Sequence, residues 1–241
     1  MTTDPRYYDV VEATWPSAQK ITTGPIFVRE GQGGGSRVSS ATAGGPVTDD
    51  DIVRAGAAMR DLGQMPLFMI RDGDDELDAQ LAERGYVVKD PVNMWACPAT
   101  LLTDVKIPRV TTFCVWEPLA IQREIWASGG IGPERVDVMD RVLGAKTALL
   151  SRNDDKPAGA GFCAIHDGVA MIHALEILPH QRRKGMGVWM MRQAAYWALD
   201  NGADTLSVIC TKRNEGANGL YASLGMTLVG QYHYRILPNE D

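Results

Sequence analysis

The sequence predicts a mixed α/β (α+β) protein, with a mixed central sheet flanked by helices, on three observations. Strand-like apolar runs alternate with helix-like runs along most of the 241 residues. Two short polar segments, Asn153-Asp154-Asp155-Lys156 and His166-Asp167-Gly168, have the composition of hairpin turns between consecutive apolar runs. The apolar run 170–178, broken by His173 and Glu176, turns through Gly185 and Gly187 into a stretch rich in Met, Ala, Trp and Leu that ends at Gly202, as a strand followed by a long helix would.

In chain order, a strand at 25–30 leads into G-Q-G-G-G and a second strand at 36–43. Thr48 and Asp51 form a capping box opening a helix to about residue 62. A strand at 67–70, a helix at 76–84 and strands at 86–88 and 92–97 follow. The polar segment ending at Pro108 divides the chain into units of 1–108 and 109–241. The second unit begins with a strand at 111–116 and helices at 119–127 and 134–143. Strands at 146–151, 157–166 and 169–178 precede the long helix from 185. A strand at 205–210, a short helix at 217–224 and a final strand at 227–236 complete it.

Composition narrows function. A net charge of −6 without long runs of one sign gives no electrostatic footprint for nucleic acid. No apolar run approaches the roughly twenty residues of a membrane span. The start of the chain has no basic segment followed by an apolar one, so no signal peptide is expected. Cys97, Cys114, Cys163 and Cys210 lack CxxC pairing and read as buried free thiols, which places the protein in the cytoplasm.

Two segments carry chemistry. L-P-H-Q-R-R-K-G-M-G at 178–187 joins strand to helix through glycines, and a helix start with unpaired N–H groups is an anion site, most often for phosphate. N-E-G-A-N-G-L-Y-A-S-L-G-M follows at 214–226. Together they resemble the GNAT superfamily of acyl-CoA-dependent N-acyltransferases. Arg182, Gly185 and Gly187 match its R/Q-x-x-G-x-G/A pyrophosphate motif. Asn214, Ala217, Leu220, Tyr221, Leu224, Gly225 and Met226 match its second segment. The family often has glycine where this chain has Arg183. The order of elements in 1–108 is more loosely similar to the degenerate N-terminal half of tandem GNAT proteins, without a pyrophosphate motif, so acyl-CoA is not expected there.

The resemblance implies acetyl-CoA as co-substrate, no metal, and a small-molecule or peptide amine as acceptor, with a homodimer left open. It places the diphosphate on backbone N–H groups of Arg183, Lys184, Gly185, Met186, Gly187 and Val188, with charge from Arg182, Arg183 and Lys184. It sets the pantetheine arm against the strand end at Ile177 and Leu178 and against Asn214, whose plainer role is a helix N-cap. Tyr221 matches the family's general acid, a phenol that protonates the departing thiolate. Two bases stay open. His173 stands where some arylalkylamine-type members have a catalytic histidine, and strand alternation puts it on one face with Leu175 and Ile177, with Glu176 facing away. His233, between Tyr232 and Tyr234, is expected to shape the acceptor pocket. A non-catalytic acyl-CoA-binding protein is the alternative.

Two further patterns imitate sites. Asp72, Asp74, Glu76 and Glu83 fall at calcium-loop spacing, but Leu77 takes the glycine position, so a capped helix is expected. The G-Q-G-G-G loop lies between expected strands and reads as a turn.

Overall fold

In the computed structural model, which describes residues 3–238, helix α1 (Arg6–Thr14) opens the chain. Its Tyr7, Val10, Val11 and Thr14 recur at helical spacing and bury one face. The hairpin β1 (Gln19–Thr23)–β2 (Ile26–Glu30) follows. The sequence patterns above predict neither α1 nor β1. They predict a strand at 36–43, where the chain instead forms the single-turn helix α2 (Ser36–Ser39) and the two-residue strand β3 (Thr42–Ala43). Gly35, at φ 95°, breaks the extended path, and the Val38 amide donates to its carbonyl at 3.2 Å.

The Thr48–Asp51 capping box forms and starts α3 (Asp49–Asp61). Strand β4 (Leu67–Arg71), helix α4 (Asp75–Glu83) and the long strand β5 (Val87–Pro98) complete the first half. The calcium-like segment is helical, but its N-cap carboxylate, Asp74, turns back to accept from the Arg71 amide at 2.9 Å and leaves the helix N–H groups alone. In the second half, β6 (Thr112–Val115), α5 (Ala120–Ser128) and α6 (Pro133–Asp140) lead to β7 (Lys146–Asn153), β8 (Lys156–His166) and β9 (Val169–Ile177). Both connecting turns place two residues at positive φ: Asp154 and Asp155, then Asp167 and Gly168. Helix α7 (Met186–Asp200), β10 (Thr205–Thr211), α8 (Glu215–Ser223) and β11 (Thr227–Ile236) follow.

Strands from both sides of residue 108 interleave in one eight-stranded sheet of order β4-β11-β5-β10-β9-β8-β7-β6. Only β9 and β10 run parallel within it. Strand β11 lies between β4 and β5, while β5 lies between β11 and β10. The unit β4–α4–β5 therefore repeats β10–α8–β11, and each unit's second strand pairs with both strands of the other. Asp74 and Asn214 sit at equivalent helix starts, and Gly85 and Gly225 follow the helix ends at positive φ. A three-stranded sheet of β1, β2 and β3 adjoins β4 through a bridge between Ala41 and Phe68.

Alternation along β7 separates two cores. Leu149 packs with α7 and α8, and Ala148 and Leu150 pack with α5 and α6. None of the helices described is long and apolar enough to cross a membrane.

Candidate active site

The parallel pair β9–β10 is hydrogen-bonded only from Val169 opposite Thr205 to Ile172 opposite Val208. Beyond that level β9 continues to Ile177 and β10 to Thr211, so the two strands part and leave an unpaired edge on each.

On the α7 side of the split lies the 182–188 loop. Arg183 and Gly185 adopt left-handed conformations, at φ 64° and 77°, which bend the chain into the helix start. Among the described residues, the amides of 183–188 have no backbone or side-chain acceptor, which leaves consecutive donors at the positive end of a fifteen-residue helix. The cations behave differently from one another. Arg182 folds back onto β9, donating from Nε to the Ile177 carbonyl at 3.0 Å and from Nη2 to Glu176 Oε1 at 3.1 Å. Lys184 donates to Gln181 at 3.2 Å. Arg183 has no ion-pair partner among the described residues. Gly187 serves helix packing, since a Cβ there would stand 2.9 Å from Leu220 Cδ2.

Tyr221 belongs to the same face. It packs among α7 residues and is 3% exposed. Burial, together with neighbouring Cys210, pushes its phenol above its ordinary value, so the group stays protonated through the neutral range. No described residue bonds its hydroxyl.

On the other side of the split a cavity of about 250 Å³ opens. Ala174 and the segment Ile209–Thr211 line it where the strands part. Gly34, Ser36 and Arg37 reach it from the first half of the chain, as do Tyr232 and Tyr234 from β11. Two β-bulges lie at its rim. In β9, Ala174 takes φ 49° as the pairing shifts between Ala160–Glu176 and Phe162–His173. In β5, Asp90 takes φ 43° as the pairing shifts between Val92–Tyr232 and Lys89–Tyr234.

The β9 bulge overturns the expected facing. His173 is opposite Phe162 and Glu176 is opposite Ala160, so these two face α1 and α5 together. Leu175 and Ile177 turn to the α7 side. An inserted residue reverses the alternation, and sequence spacing does not show it.

His173 is buried, with both ring nitrogens engaged. Arg37 can only donate, so Nη1 gives its hydrogen to Nδ1 at 2.9 Å. Thr14 uses its hydroxyl hydrogen on the Val10 carbonyl at 2.6 Å, so its oxygen accepts from His173 Nε2 at 2.8 Å. The ring is the neutral Nε2–H tautomer, stacked near Trp15 at 5.0 Å. Burial first, and the Arg37 charge second, hold its pKa well below the ordinary 6.5. The expectation of a basic His173 therefore meets a ring without a free lone pair. Glu176 differs: Arg182 holds Oε1, and no described residue bonds Oε2.

With this geometry in place, comparison with known proteins identifies the fold's relatives. The acetyltransferase (GNAT) family model matches residues 120–226. Those residues are similar to a GNAT acetyltransferase domain. The chain is 24% identical over 238 residues to an uncharacterized N-acetyltransferase of Bacillus subtilis (strain 168), YobR, covering 93% of this chain and 94% of that protein. A GCN5-related N-acetyltransferase from Kribbella flavida superposes with a TM-score of 0.69 at 20% identity, covering 100% of this chain and 97% of its own. A tandem GNAT protein from the clavulanic acid biosynthesis pathway superposes at 0.62 and 10% identity, covering 84% and 76% of the two chains.

Within the matched segment, Asn214 caps α8, accepting from the Ala217 amide at 3.1 Å. The pivotal residue of this turn is Asn218, which the motif reading passed over. Its Oδ1 accepts from Asn93 at 2.8 Å and Trp95 at 3.1 Å, and its Nδ2 donates to the Asn214 and Thr211 carbonyls at 2.8 and 3.0 Å. An asparagine at i+4 from an N-cap asparagine was the available signal. His233 does not line the cavity at the split. It turns to α4, with Nε2 2.9 Å from Asp78 Oδ1, while its neighbours Tyr232 and Tyr234 point to the cavity. The four cysteines are free thiols, and burial raises them all above the ordinary thiol range.

Proposed function

We propose that this chain is an N-acetyltransferase that moves an acetyl group from acetyl-CoA to a primary amine within a ternary complex. The observation that carries the reading is the parting of β9 and β10. It joins a loop of unpartnered amides on one face of the sheet to a small cavity on the other. Six consecutive N–H donors at a helix start fit a diphosphate. The unpaired edge of β9 beyond Ile172 fits the amides of a pantetheine arm, which would add to it as a strand does.

In this reading the amine enters from the cavity. Its nitrogen attacks the thioester carbon, a C–N bond forms and the C–S bond breaks. Glu176, facing the cavity side with Oε2 free, takes the amine proton directly or through water. Tyr221 gives its proton to the departing sulfur from the opposite face. His173 acts as a strut, fixing Arg37 and α1 against β9. The segment 1–108 forms a second, silent GNAT-like unit whose β4 and β5 interleave with β10 and β11 of the catalytic unit 109–241. Leu81 stands in its helix where Tyr221 stands in α8, and its loop supplies one wall of the acceptor cavity. Free buried thiols fit a reducing compartment such as the cytoplasm.

Calorimetric titration with acetyl-CoA tests the reading. One site per chain is expected, weakened by Gly185→Val. No heat up to millimolar acetyl-CoA, and no thiol release with any amine, would overturn it.

A further inference from the structure

The charges around the cavity are unbalanced. Arg37 and Arg135 both line it, and neither has a carboxylate within ion-pair range among the described residues. Arg37 lies 5.5 Å over the Trp15 ring and bonds the neutral His173 through Nη1. Its Nε is buried without an acceptor, and no described residue bonds its Nη2. Among the described residues, Arg135 donates only to the Gly130 carbonyl, at 3.3 Å, and lies along Gly35. The cavity's lining carboxylate is Asp90, which Arg213 already pairs at 2.9 Å.

A guanidinium held in a half-buried wall against a neutral imidazole and an indole lacks the anion that ordinarily compensates it. Nη2, on the edge it shares with the buried Nε, has no acceptor among the described residues and can donate to a carboxylate oxygen. His173 and Trp15 fix that edge from behind, so it is ordered before any ligand arrives. A volume of about 250 Å³ suits a small molecule. The bulge at Ala174 brings this wall to the split, so an anion held by Arg37 belongs to the molecule whose amine reacts there.

We propose that the acceptor is a small amino carboxylate, whose carboxylate is held by Arg37 with Arg135 beside it, and whose amine faces the split. This inference rests on the acetyltransferase reading and specifies its substrate class. Arg37 acts here as a specificity-determining residue.

The test uses the full chain with acetyl-CoA and matched acceptors: amino acids, their carboxamides, and the amines left by removing the carboxyl group. O-Phosphoethanolamine is added as an oxyanion without a carboxylate. Thiol release should show kcat/KM at least about ten-fold higher for the carboxylate member of each pair, carried mainly by KM. Arg37→Gln should lower kcat/KM for the amino acid at least about ten-fold more than for its carboxamide, with Arg37→Lys between them. Because Arg37→Gln also removes the His173 contact, Arg135→Gln, at a partly exposed site, provides a second variant with the same expected selectivity in smaller measure. The acetyl-CoA dissociation constant, measured in each variant, separates the two claims. Normal acetyl-CoA binding with equal or better use of the decarboxylated amines, or of O-phosphoethanolamine, would overturn the inference while leaving the transferase intact. So would intact acetyl-CoA binding with no amino carboxylate either bound or acetylated, or Arg37 variants that depress every acceptor alike. Loss of acetyl-CoA binding in the unmodified protein would instead overturn the reading beneath it.

Discussion

Nη1 of Arg37 lies 2.9 Å from Nδ1 of His173, so a residue of the first half of the chain fixes the tautomer of a residue on β9, the strand that parts from β10. The guanidinium occupies the lone pair that a basic histidine would need.

This arrangement sets a pH dependence of stability. The native ring stays neutral well below 6.5, whereas the unfolded ring takes a proton near that value, so the unfolded state binds more protons as pH falls. Stability should be full above about pH 6.5 and decline below it by up to about 1.4 kcal/mol per pH unit from this group. Urea unfolding between about pH 7.5 and 5.5 should show the decline, and His173→Gln should flatten it. An unchanged slope in the variant would refute the assignment.

Tyr221→Phe removes a hydroxyl that no described residue bonds, so its cost to folding should stay below about 1 kcal/mol. The rate of acetyl transfer should nevertheless fall by about a hundred-fold. Steady-state thiol release, read beside the thermal midpoint, distinguishes loss of a proton donor from loss of packing.

Glu176→Gln should lower kcat/KM by about a hundred-fold for strongly basic amines. Amines already neutral at the assay pH need no base, so their loss should be much smaller. A uniform loss across amines of graded basicity would assign Glu176 to positioning Arg182 through their 3.1 Å contact.

The two loop glycines should separate in their effects. Gly185→Ala forces a side chain into φ 77° and should cost about 1 kcal/mol, with weaker acetyl-CoA binding. A Cβ at Gly187 meets only the end of the Leu220 side chain, in a helix that favours alanine. Gly187→Ala should therefore hold stability to within about 1 kcal/mol in urea unfolding and keep acetyl-CoA affinity in calorimetry.

Asn218→Ala should cost about 1–3 kcal/mol in urea unfolding, because it leaves the Asn93 amide and the Trp95 indole without their shared acceptor, while the Asn214 and Thr211 carbonyls keep their backbone donors.

What the sequence made legible follows from the range of its signals. Periods of two and 3.6 residues, the hairpin turns at Asp154 and Asp167 and the box at Thr48 are local, and the elements they predict are present. The loop at 182–188 is local too, and its glycines mark the left-handed turn at Gly185. The facing of Glu176 was misread because Ala174 carries no mark of a bulge. The 36–43 segment was misread because its β-branched and small residues suit a strand, while Gly35 turns it out of one. The cavity gathers Arg37, Asp90, Ala174 and Tyr232 from distant parts of the chain, and no local pattern connects them.

The place of β11 between β4 and β5 also governs the order in which the protein is made. Leu67 pairs with Ile236, so an edge formed early in synthesis finds its neighbour only when nearly the whole chain has left the ribosome. Until then β4 and β5 present open edges to other nascent chains. Assembly of the first half must therefore wait for the last strand, and a ribosome that stalls before residue 227 releases a product with an unsealed seam.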